Sequence, residues 1–140
     1  MDKTNKIIAE FMGNEKFWLM LEQHNGIYPN FNKTYYQSGD DKTIDKPLKE
    51  DYVFKHVVKF HSSWDWLMQV VEKIEEIFID DSNLIVKEHR YEFDMKYTQC
   101  NIYDHVKDCV VASGDMGSKL LSTYQAVVEF IKDYNNGTEQ

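Results

Sequence analysis

Arginine is almost missing from this chain: of 16 basic residues only Arg90 is an arginine, and the other fifteen are lysines. Bases are also outnumbered, 16 against 24 acids for a formal charge of -8. That balance excludes broad contact with nucleic acid or an anionic membrane, both of which need a basic surplus. Two cysteines, Cys100 and Cys109, cannot build a disulfide framework, so a reducing cytoplasm is the expected compartment. Two prolines and six glycines are too few for a fibrous or low-complexity chain. No apolar run approaches the ~18 residues a membrane span needs, and Met1–Lys6 lacks the features of a secretory signal. The glycines, at 13, 26, 39, 114, 117 and 137, never fall into a phosphate loop or dinucleotide fingerprint. Neither a G-x-S-x-G elbow nor an H-E-x-x-H helix occurs.

What is present suffices for a core. With 140 residues and 42% hydrophobic content the chain is expected to fold as a single domain over 1–140. Ile7, Ile8, Phe11 and Met12 mark one face of a short first helix over 4–13, which Gly13 terminates. The knot Phe17–Leu21 is a strand or a helical turn, too apolar to be left in water. From 26 to 49 the composition turns to Asn, Asp, Lys, Tyr, Gly and Ser with Pro29 and Pro47, which predicts a long aromatic, polar loop or insert. Tyr52–Phe60 has the β-branched and aromatic content of a strand. The clearest helix covers 62–78, with Trp64, Leu67, Met68, Val71, Ile74 and Phe78 at helical spacing and a capping-box-like start at Ser62 and Asp65. Strands are expected at 84–86, 91–94, 97–103 and 106–112, then a second long helix from 116–118 to the stop Asn135-Asn136-Gly137. The fold class expected is α+β: a largely antiparallel sheet of about four strands packed by two long amphipathic helices, plus the short N-terminal helix.

Chemistry concentrates in few places. Arg90 carries a planar fork suited to phosphate or carboxylate. Either it pairs with Glu88 or Glu92 on a surface strand, or it anchors an anionic small molecule against Tyr91, Tyr97 or His61. His61, Ser62 and Ser63 lie at a helix start, where backbone N–H groups and hydroxyls hold an anion or simply cap the helix. Trp64 and Trp66, two apart, cannot face one way on a helix, so one of them lies off the core stripe. Ligand-binding candidates are therefore Arg90, His61, Ser62, Ser63, Trp66, Tyr91 and Tyr97. Tyr28, Phe31, Tyr35 and Tyr36 are candidate anchors for a protein partner. Cys100, His105, Cys109 and His89 lack the spacing of a zinc knuckle and read as two small buried thiols and two surface histidines, so no metal or other cofactor is expected. Glu72, Glu75, Glu76, Asp80 and Asp81 read as a solvated face rather than catalytic acids. No catalytic residue emerges, and the chain is not expected to be an enzyme.

Three segments, IAEFMG (Ile8–Gly13), HSSWDWLMQVVEKIE (His61–Glu75) and SKLLSTYQAVVEFIKDYN (Ser118–Asn135), resemble small phage and prophage proteins akin to the phage ABA-sandwich domain type. The sequence departs from that pattern at Gln69, where proline is expected, and in a longer stretch between Gly13 and His61. The resemblance implies a phage or prophage origin and a non-enzymatic binding protein of the host cytoplasm that sequesters a nucleotide-derived immune signal. The alternative is an acidic protein-interaction module that inhibits or accompanies a host or phage protein. Expected partners are thus a small anionic, nucleotide-like ligand or a host protein, with a homodimer compatible with either.

Overall fold

The computed structural model describes residues 2–29, 34–38, 46–80 and 86–138. It is α+β, and its contacts fall into two compact units, Met1–Lys59 and Phe60–Gln140. No described helix is long and apolar enough to cross a membrane.

In the first unit α1 (Asp2–Met12) and α2 (Asn14–Asn25) meet at Gly13. That residue has φ 87°, a conformation that ends a helix cheaply only without a Cβ. The apolar knot is part of α2: Phe17, Met20 and Leu21 are buried while Trp18 and Leu19 are exposed, the i, i+3, i+4 signature of a helix face. Tyr52–Phe60 is not the expected strand. A single turn, α3 (Glu50–Tyr52), runs into a π-helical turn over Val53–Val57. Val53, Phe54, Val57 and Val58 are buried, and the Phe54 ring stacks on Phe17 at 5.6 Å. Packing of that face overrides the strand preference of the valines.

The stretch 26–49, expected as a loop, carries three short strands, β1 (Ile27–Pro29), β2 (Tyr35–Gln37) and β3 (Lys46–Leu48). They pair antiparallel in that order, with Tyr28 opposite Tyr36 and Tyr35 opposite Leu48. The Tyr28 and Tyr36 rings stack at 5.5 Å. Such cross-strand aromatic pairs stabilise a sheet despite turn-rich composition. Phe31 lies outside the described residues.

The second unit comprises α4 (Trp64–Glu75), β4 (Tyr91–Met95), β5 (Cys100–Asp104), β6 (Cys109–Gly114) and α5 (Lys119–Thr138). Its sheet is antiparallel in the order β4-β5-β6, three strands rather than four among the described residues. Leu84 and Ile85 of the expected additional strand lie outside them, and Val86 is largely exposed. α5 packs on β5 and β6, and α4 packs against β4 and α5. The α4 stripe is Trp66, Leu67, Val70, Val71 and Ile74, one step round from the expected one. Ser63 occupies the cap position in extended conformation, with no side-chain cap hydrogen bond, so the Ser62–Asp65 capping box is not formed. α5 continues through Asn135-Asn136-Gly137 to Thr138. Where β6 meets α5, a Cβ built on Gly114 would lie 1.8 Å from the Ser122 carbonyl oxygen. Only a glycine permits that approach.

Candidate functional site

Arg90 stands immediately before β4, held by its backbone at both ends: its N–H donates to the Ile77 carbonyl at 2.9 Å, and its carbonyl accepts from the His105 N–H at 2.9 Å. The guanidinium is therefore fixed beside the β5–β6 turn. Its partner is neither Glu88 nor Glu92 but Asp104, the last residue of β5. Nε donates to Oδ1 at 3.1 Å and Nη2 to Oδ2 at 3.0 Å. The Asp104 side chain is 1% exposed, and Oδ1 also accepts the Val106 and Lys107 backbone N–H groups at 2.8 and 3.3 Å. Burial alone would raise this carboxyl. The Arg90 hydrogen bonds and the two backbone donors outweigh it and hold the pKa below the ordinary aspartate value. The same bond raises the Arg90 pKa further.

Around this pair the chain builds an aromatic wall. The guanidinium carbon lies 5.2 Å from the Tyr91 ring centroid, within cation–π range. Tyr91 meets Phe130 edge to face at 4.7 Å, and Phe130 stacks on Tyr134 at 5.6 Å. Burial pushes the Tyr91 hydroxyl up, with Arg90 opposing, so the phenol is neutral at physiological pH and available as a hydrogen-bonding group. Together with Lys107 and Asp133 these side chains line a cavity of about 260 Å³. A β-bulge shapes it. Ile102 pairs with Ala112 and Tyr103 with Val110, leaving Val111 unpaired, and Val111 is part of the cavity wall. Bulges beside sites commonly re-aim a side chain in this way.

A guanidinium carries five N–H donors. Asp104 engages two, from the side, so among the described residues three remain, including the end-on fork that takes phosphate or carboxylate in bidentate fashion. Two cations, Arg90 and Lys107, face two carboxylates, Asp104 and Asp133. The site is therefore balanced rather than strongly positive, and specificity would come from geometry more than from net charge.

Of the seven candidate ligand residues, Arg90 and Tyr91 come together here and the other five do not line this cavity. Trp66 is a core residue, edge to face with Phe60 at 5.2 Å, and does not line this cavity. His61 packs against Tyr124 at 6.2 Å. Ser62 is exposed and Ser63 half-buried ahead of α4. Tyr97, 85% exposed, sits in the turn between β4 and β5 and does not line this cavity. Of the interaction candidates, Tyr28 and Tyr36 are half-buried, and Tyr35 is buried and so unsuited to anchor a partner.

Cys100 and Cys109 sit at opposite ends of the β5–β6 pair, opposite Gly114 and Asp104 respectively. Cys100 is buried, which raises its thiol pKa against a Thr123 hydrogen bond. Cys109 is exposed, contrary to expectation. Among the described residues no cluster of three His, Cys, Asp or Glu could hold a metal ion. The glutamates at the end of α4 are not uniformly solvated either. Glu75 is half-buried, and burial with Glu72 nearby raises its pKa while His89 opposes.

Sequence reasoning missed Asp104, Phe130, Asp133 and Tyr134. Asp104 carried one signal, an acid at the end of an apolar strand just before a short turn, where its carboxylate can take turn N–H groups. Tyr134 was legible only as part of the apolar face of the last helix, and Phe130 lay off that face. No protein-family model, curated protein or solved structure matches the chain.

Proposed function

We propose that the protein is a non-enzymatic binding protein whose ligand enters the Arg90 cavity, and that the ligand is a small nucleotide-like anion. The observation that carries this reading is a guanidinium immobilised from the side by buried Asp104, its end-on fork unused among the described residues, beside the Tyr91, Phe130 and Tyr134 rings. Preorganisation of that kind lowers the cost of ordering a recognition group on binding. The volume, about 260 Å³, lies just below the roughly 300–1,000 Å³ of ordinary ligand pockets. It accommodates a base or a phosphate with part of its sugar rather than an extended cofactor. In the phage or prophage setting that the three sequence segments suggest, such a protein would sequester a nucleotide-derived immune signal in the host cytoplasm.

Isothermal titration with mononucleotides, cyclic nucleotides and ADP-ribose derivatives tests the reading. At least one should bind saturably at one per chain. Arg90→Gln should weaken it by about ten- to a hundredfold, the worth of a charge-assisted hydrogen bond. Silence across the panel, or binding indifferent to Arg90→Gln, rejects the site.

A further inference from the structure

A neighbouring surface of the second unit, which shares Val111 and Asp133 with the Arg90 cavity, carries a separate inference. β6 is an edge strand among the described residues, since the sheet order is β4-β5-β6. Its six residues, Cys-Val-Val-Ala-Ser-Gly, include no charge and no proline, two of the devices that keep an edge from pairing; a third, a bulge, is present at Val111. Cys109, Val110 and Ser113 are exposed. Apart from its ladder to β5, no backbone hydrogen bond from β6 occurs among the described residues, so on either side of the Val111 bulge alternate residues present an N–H and a C=O outward.

α5 doubles back along this edge. Gly114 lies against Ser122 near the helix start, and Val111 shares a cavity with Asp133 near its end. Between strand and helix runs an open groove of about 510 Å³, walled by Val110, Val111 and Ser113 on one side and by Gln125, Glu129 and Asp133 on the other. Gln125 is occupied, accepting the Asp115 N–H at 2.9 Å. Glu129 and Asp133 are exposed, and neither forms an ion pair among the described residues.

We propose that this groove binds an extended basic segment of a partner protein, laid beside β6 as a fourth strand. Backbone pairing with β6 would supply the affinity, and lysine or arginine at alternate positions would meet Glu129 and Asp133. The spacings agree. Four residues of helix rise about 6 Å, and alternate residues on one face of a strand are about 6.8 Å apart. A second copy of this chain fits poorly, because it would bring the same acidic row to the contact and add its own charge of -8.

The test is a fluorescence anisotropy titration of the whole chain with a labelled nine-residue peptide of alternating Thr and Lys, beside one of alternating Thr and Glu, with amide NMR shifts recorded for both. The Lys peptide should bind saturably, shift the Cys109–Gly114 amides, and lose about five- to tenfold in affinity in the Glu129→Gln/Asp133→Asn double variant, as two exposed charge pairs allow. Amide shifts at Cys109–Gly114 with none at Arg90 or Tyr91 separate this site from the cavity. Equal binding of the two peptides, shifts away from β6, an unaffected double variant or no binding at all would overturn the proposal.

Discussion

The two units solve the same problem by different means. Met1–Lys59 builds its sheet from strands of three residues and is held by stacked rings, Phe17 on Phe54 and Tyr28 on Tyr36. Its described ion pairs, Lys6 with Glu50 and Asp51, are exposed and contribute little. Phe60–Gln140 has strands of five and six residues, a twenty-residue helix, and a buried carboxylate that ties Arg90 to the β5–β6 turn. The contrast teaches that short elements depend on a few large side chains. Longer ones leave room for a polar hub that serves both folding and recognition.

Truncating the large side chain should have the greatest effect. Phe17→Ala, at a residue 3% exposed, should cost about 3–5 kcal/mol in chemical denaturation, with hydrogen exchange rising first in α1, α2 and the π-helical turn. Equal loss of protection in α5 would mean that the two regions open as one, and the contrast would fail. Gly114→Ala comes next. Its obstacle is the Ser122 backbone oxygen at 1.8 Å rather than a movable side chain, so about 3 kcal/mol is expected, the upper part of the range for overpacking. Melting within 1 °C of the parent would show that strand and helix separate easily.

Asp104→Asn should cost about 2 kcal/mol, as loss of charge-assisted hydrogen bonds does. Acid should reproduce that loss in the parent. Because the folded pKa of Asp104 lies below its ordinary value, the pair's contribution is complete above the unfolded value of about 3.9 and disappears as pH falls through the folded one. Protection factors of the β5–β6 turn amides, taken against intrinsic exchange at each pH, should fall there in the parent and stay level in Asp104→Asn. A parallel response in the two proteins would remove the hub from the comparison.

Legibility followed element length. The faces of α4 and α5 repeat over three turns or more, and the strands at 91–95, 100–104 and 109–114 stand close to the expected positions, because periodicity has residues enough to show itself. In the first unit the same holds for α1, where Ile8 and Met12 of the expected face are buried, but not for the strands. Three-residue strands never complete an alternation, and Pro29 and Pro47 pointed to a loop although both fall within strands. Val53, Val57 and Val58 suggested a strand where packing of Phe54 on Phe17 favours a helix. At the site, the lone arginine drew notice by its rarity. Its carboxylate partner fourteen residues away is paired with it by sheet register, which no local pattern records.

Val111 and Asp133 each line both the Arg90 cavity and the groove beside β6, so the two hollows share a partition. Any guest that displaces this partition from one side alters the fit on the other, and thermodynamic reciprocity makes the penalty or benefit identical in both directions. Titrating a nucleotide with the lysine peptide present, and the peptide with the nucleotide present, would yield one coupling factor measured twice.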